Sequence, residues 1–258
     1  MNPHACRVVL RPRGPLEVFD LAVRLIRAHP STWLRLVVAT ALPPILVGGV
    51  ICALTDEADL LLLMLFPVVA PLLQAPATVL AGRLLFANEV RVRDVLQEVG
   101  RRSGTLFGGL LAWLVAWTLG CGLFSWLTAL PLTWTAEATL LEQVPLARVL
   151  RRSSSLALAN IGVAVTAQVT WMALTLWGVV VGEALGHGIV GTVLQLGEPF
   201  GNATDLVLTP WVVAGALGVQ PLYGAYRLLL YVDARTRNEG WDLQVALRAA
   251  ALAATEAP

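Results

Sequence analysis

No lysine occurs anywhere in these 258 residues; all 18 basic side chains are arginine. Histidine and cysteine are scarce as well, three of each, and charged residues make up 14% of the chain against about 25% in a soluble domain. Each shortage closes off a class of function. With a net charge of only +1, no polyanion is implied as a partner, so nucleic acid binding is not expected and the arginines need another explanation. Cys6, Cys52 and Cys121 are too scattered for a disulfide framework or a CxxC metal motif, and read as small apolar side chains. The membrane topology that the arginines imply puts His29 inside and His187 outside, with His4 on the N-terminal tail, so no set of metal ligands is expected to converge for hydrolysis. Ser153, Ser154 and Ser155 have no histidine partner in prospect, and no GxSxG elbow, Walker loop or GxGxxG fingerprint is present. No catalytic residue, cofactor or metal is expected.

What the chain has is apolar length. Hydrophobic residues reach 57% and mean hydropathy is +0.73, which makes a bilayer the expected solvent. The arginines fall in four clusters, Arg7 to Arg35, Arg83 to Arg102, Arg148 to Arg152 and Arg227 to Arg248, while the segments around Asp56, Gly122 and Gly191 carry none. Under the positive-inside rule the clusters are cytoplasmic, and an even number of crossings between them gives six transmembrane helices as three hairpins, both termini inside. The expected spans are Leu36 to Leu54, Leu60 to Gly82, two short spans within Gly104 to Leu141, Leu156 to Val181, and Leu206 to Tyr226. The fold class is therefore an all-α polytopic membrane protein. Residues 1–35 form a cytoplasmic amphipathic lead-in, 36–226 the bundle and 227–258 a cytoplasmic tail. No cleavable signal precedes the first apolar run, so the first span is expected to act as an uncleaved anchor.

An amphipathic segment precedes each hairpin. Leu16, Phe19, Val23 and Ile26 share one helical face, with Glu17, Asp20, Arg24 and Arg27 one step round. Val92, Val95, Leu96 and Val99 oppose Arg91, Asp94, Glu98 and Arg101; Leu146, Val149 and Leu150 oppose Arg148, Arg151 and Arg152. All three are expected to lie along the cytoplasmic membrane surface, with anionic lipid headgroups as partners of the arginines. Pro67, Pro71 and Pro76 predict a kinked second span. Gly182 to Asp205 reads as the longest outside loop, with a short surface helix over Ile189 to Leu196.

Polar groups at membrane depth are costly without partners, which singles out Gln74, Glu137, Gln168 and Glu183 as a candidate intramembrane site. The simpler expectation is that the two carboxylates reach the headgroups and the two amides bond between helices. Gly104 with Gly108, and Gly178 with Gly182 and Gly186, offer small-residue faces that fit packing within the chain, and the deep tryptophans also read as packing.

Three stretches carry a family resemblance: Arg11-Pro12-Arg13-Gly14-Pro15-Leu16-Glu17-Val18-Phe19-Asp20; Glu142 with Ala147, Leu150, Arg152 and Ser153; and Leu230 to Asp242, reading Leu-Tyr-Val-Asp-Ala-Arg-Thr-Arg-Asn-Glu-Gly-Trp-Asp. They resemble a bacterial family of six-helix membrane proteins similar to the membrane domain of glycerophosphoryl diester phosphodiesterases. Pro30, Ile26 and Ser154 depart from that family's pattern. The resemblance implies the six-span fold and a bacterial inner membrane; it transfers no activity, because the phosphodiesterase catalytic domain has no counterpart here.

In the closing motif, Arg235 and Arg237 suit anionic headgroups, while Asp233, Glu239 and Asp242 suit arginines of the surface helices, clamping the tail under the bundle. Two functional readings follow. The first is a non-enzymatic scaffold or accessory component of a bacterial envelope assembly, with other envelope membrane proteins as partners. The second is a small-solute or lipid transporter with a cavity between hairpins. Convergence of Gln74, Glu137, Gln168 and Glu183 on one wet cavity separates them.

Overall fold

A computed structural model describes residues 13–55, 58–87, 89–120, 125–142, 145–195, 197 and 208–240. Asp56, Glu57, Cys6, Cys121, the Gly122 turn, Asn202 to Thr204, Trp241, Asp242 and Arg248 lie outside the described residues. Within those described, every regular element is helical.

Proline and its neighbours set many of the boundaries. Helix α1 (Pro15–Ala28) starts with proline at its first turn, carries Glu17 there and ends on Arg27, all favourable to the helix dipole. It stops at His29 because Pro30, which lacks an N–H, opens α2 (Pro30–Thr40). Pro43 and Pro44 force the next break, so α3 (Leu42–Leu54) is bent by 42° from α2. By contrast α4 (Ala58–Leu84) runs on through Pro67, Pro71 and Pro76 as one helix. Then come α5 (Val92–Arg101) and α6 (Ser103–Leu119). The fourth expected span is a chain of short pieces: α7 (Ser125–Ala129), a 3₁₀ turn at Leu130–Leu132, α8 (Thr135–Glu137) and a π-helical turn at Ala138–Glu142. Helix α9 (Leu146–Ala159) ends at Asn160, whose Nδ2 donates back to Leu156 O at 3.1 Å. Next is α10 (Ile161–His187), extended by a π-helical turn at Gly188–Val193. Thr209 caps α11 (Pro210–Gly218) by accepting from Val212 N at 3.2 Å, and α12 (Gln220–Glu239) follows after a break at Val219 imposed by Pro221.

This corrects several expectations. Two described helices are long and apolar enough to cross a membrane, 61–84 and 161–193, and a third if bent α2 and α3 are taken as one span; the six continuous spans are not found. The expected fifth span splits at Asn160, the sixth at Val219. The loop set at Gly182 is helix as far as Val193, because nothing after Gly182 breaks the hydrogen-bond ladder that early. The boundary set at 226/227 crosses the middle of α12, whose residues Leu228 to Ala234 are all buried.

Helix α12 is the axis of the fold. It meets α4 most closely at Gly224, where an added Cβ would stand 2.7 Å from Gln74 O. Helix α1 lies against its other flank, with the Phe19 ring edge-on to Tyr226 at 5.6 Å. The face α1 buries is Val18 and Ala22, while Leu16 is 85% exposed, so the apolar stripe read from the sequence is turned partly outward. On α5 and α9 the expected stripes do face inward at Val95 and Val149. Helices α10 and α11 pack backbone to backbone: Gly178, Gly182 and Gly215 leave no room for a Cβ, and one on Gly178 would sit 2.5 Å from Gly215 O. Leucine, methionine and phenylalanine cover much of the outside, including Leu63, Met64, Phe107, Leu111, Met172 and Leu176.

Candidate functional site

A single stripe of α12 carries the polar interior. Gln220, Tyr223, Arg227 and Tyr231 recur at three- and four-residue steps, so they line one face of that helix. Gln220 is fully buried: its Oε1 accepts from Gln74 Nε2 at 2.8 Å and Trp171 Nε1 at 3.0 Å, and its Nε2 donates to Ala216 O at 2.8 Å and Thr175 Oγ1 at 3.3 Å. About two turns further on, Arg227 donates from Nε to Glu137 Oε1 at 2.6 Å and from Nη1 to Gln74 Oε1 at 2.8 Å, with its guanidinium 5.7 Å from the Tyr223 ring centre. Glu137, in the broken stretch after α7, is 0% exposed and Arg227 11%.

The ion pair is only half closed. Arg227 Nη2 and Glu137 Oε2 are buried with no hydrogen-bond partner. Arg227 opens on a cavity of about 80 Å³ between α4, α6, α10, α12 and the broken stretch, lined also by Gln74, Gln168, Thr133, Thr139 and the rings of Trp113, Trp171 and Tyr223. Gln168 Nε2 donates to Thr133 Oγ1 at 3.2 Å. Where polar groups face such a space, about 10 to 15 Å³ is enough for one water molecule.

Comparison with known protein families, with curated proteins and with solved structures finds no match to this chain. Its chemistry therefore has to be read from its own groups.

Of the four candidate intramembrane residues, Gln74, Gln168 and Glu137 meet at or beside this cavity, and the two amides also bond between helices as expected. Glu183 does not join them. It lies fifteen residues beyond Gln168 on the same helix, about 22 Å along its axis, and binds His187 Nε2 at 2.8 Å and the Thr209 hydroxyl. Glu137 and Glu183 thus do not face one cavity. Glu137 pairs with Arg227 instead of reaching outward. Among the described residues no cluster of three or more His, Cys, Asp or Glu side chains is placed to hold a metal.

The candidate surface residues divide. Asp233 accepts from Arg13 N and from Arg237 Nε, each at 2.8 Å, and Arg237 Nη2 donates to Arg13 O at 2.6 Å. Arg152 pairs with Glu142 at 3.2 Å and with Glu239; Glu142 also accepts from the Tyr231 hydroxyl; Arg235 reaches Glu239 at 3.0 Å and Glu142 at 3.7 Å. Burial opposes the charge on Arg152, but the two carboxylates outweigh it and raise its pKa above the usual arginine value. Glu17, Asp20, Arg24, Arg148 and Arg151 face outward, Asp20 and Arg24 joined at 2.8 Å. Arg13, the segment Glu142 to Ser153 and the segment Leu230 to Glu239 are therefore tied together in space at one end of α12. Hydropathy singles out neither Arg227 nor Gln220, and Arg227 reads in the sequence as cytoplasmic charge. The signal that finds them is the polar stripe on α12.

Proposed function

We propose that this chain is a multi-pass protein of a bacterial inner membrane that passes a small solute through the cavity at Arg227, Gln74 and Gln168. The observation that carries the reading is the convergence of polar groups from separate helices on one cavity inside an apolar shell, with a buried guanidinium left one bond short. Such groups are expensive at membrane depth, and an ionisable one there is by default a candidate for a solute pathway. The outward leucines of α4, α6 and α10 support the bilayer setting.

The orientation keeps both ends and the helices α1, α5 and α9 on the cytoplasmic side, against lipid headgroups. Six crossings are retained in this reading as three hairpins, with the bent pair α2 and α3, the pieces from α7 to Glu142, and the pair α11 and α12 each serving as an interrupted crossing. Interrupted helices of this kind are tolerated at membrane depth where they line a cavity, and two of these three do so. The chain is read as non-enzymatic.

The test is flux. Purified protein in liposomes, challenged with a panel of uncharged, anionic and cationic solutes of a few non-hydrogen atoms, is expected to admit at least one faster than protein-free liposomes do. Permeability at the protein-free value for every solute overturns transport. A scaffold for other envelope proteins is the second reading, favoured by the outward-facing Glu17, Asp20, Arg24, Arg148 and Arg151; crosslinking in the native membrane, followed by recovery of a stoichiometric protein, supports it.

A further inference from the structure

Taking the transport reading as its basis, we infer that the solute is a small uncharged amide, of the size of urea or formamide. Charge decides first. The one formally charged group lining the cavity is Arg227, and Glu137 already neutralises it at 2.6 Å. An anion has to displace that carboxylate; a cation meets a guanidinium with no free carboxylate on the cavity wall. Both pay for desolvation without a compensating partner.

Hydrogen bonding decides next. Arg227 Nη2 is a donor without an acceptor. Gln168 spends its Nε2 on Thr133 and leaves its Oε1 without a donor, on the same cavity. A primary amide accepts at one edge and donates at another, so it satisfies both, and its planar group can lie flat against one of the rings of Trp113 and Trp171, which stand perpendicular to each other. Size agrees: about 80 Å³ is roughly half of the ~150 Å³ cavity that admits benzene, which leaves space for about three or four non-hydrogen atoms.

Gly109 offers a way to fill the cavity without removing any of its polar groups, because a Cβ there is in ordinary contact with Thr135 at 3.7 Å and both residues line the space. The experiment compares full-length protein with Gln168→Leu and Gly109→Val in liposomes, each first shown to elute as a single folded species; if one variant does not fold, the other decides. Urea and formamide are expected to enter wild-type vesicles faster than formate or guanidinium ion. Each variant is expected to slow urea by about fivefold, the equivalent of one hydrogen bond for the first. Formate or guanidinium entering faster than urea overturns the amide assignment while leaving transport intact. Urea entry that neither variant slows removes the assignment from this cavity. No solute entering above the protein-free rate takes down both readings.

Discussion

At the scale of single residues the decisive pair is Arg227 with Glu137. Breaking a buried ion pair from one side leaves an uncompensated charge and costs about 3 to 5 kcal/mol, whereas replacing both partners with apolar groups of similar volume is often close to neutral. Glu137→Leu alone is therefore expected to lower thermal stability in detergent sharply, and Glu137→Leu combined with Arg227→Met to recover most of that loss. Equal stability of single and double variants would mean that the pair is not coupled. At this scale much of the site was readable from sequence. Gln74, Gln168 and Glu137 stand out as polar groups in apolar runs, and the rule that such groups need partners found three residues that do meet. Glu183 obeyed the same rule and went elsewhere, to His187 and Thr209, because position along a helix axis is not visible in composition. Arg227 was hidden by its neighbours: counted with Arg235 and Arg237 it looks like the start of a cytoplasmic cluster, and only the packing of α12 against α4 draws it inside.

Among elements, the close pairings are made by glycine. Gly215 stands against Gly178 and Gly182 with backbone in contact, so Gly215→Ala should lower the yield of folded protein strongly, since neither backbone can move aside. Gly104, with nothing within 4 Å of an added Cβ, is the matched control, and Gly104→Ala should leave yield unchanged or slightly raised. Size-exclusion profiles of the two proteins compare them directly; equal yields would refute the packing. The small-residue face of Gly178, Gly182 and Gly186 was legible as a motif and packs within the chain, whereas Gly104, read with Gly108 as a second such face, packs against nothing. Helix ends are written in the sequence where proline sets them, as at Pro15. They were missed at Asn160, where a single asparagine ends α9 inside an apolar run, and at Val219, where Pro221 was present but the surrounding hydropathy read as one uninterrupted span.

On the scale of the whole molecule, one end of α12 is tied to the rest of the chain by charge. Asp233 holds the backbone of Arg13, and Glu142, Arg152, Arg235 and Glu239 form a connected set that joins α9 and the π-helical turn to α12. Asp233→Ala with Arg235→Ala is expected to reduce folded yield more than it changes the flux of the protein that does fold; undiminished yield would show that the latch contributes nothing. The all-helical class and the apolar exterior were plain from hydropathy and charge. The number of uninterrupted crossings was not, because breaks that a bundle can accommodate leave the mean hydropathy of a segment unchanged. Transport through the cavity requires the other arginine-bearing segments to lie on one side of a bilayer. Single cysteines at Arg93→Cys and Glu57→Cys, in a background without other cysteines, measure that directly in intact cells with a thiol reagent that cannot cross the membrane. Labelling at position 57 with protection at position 93 is the predicted result; labelling at 93 with protection at 57 would contradict the account.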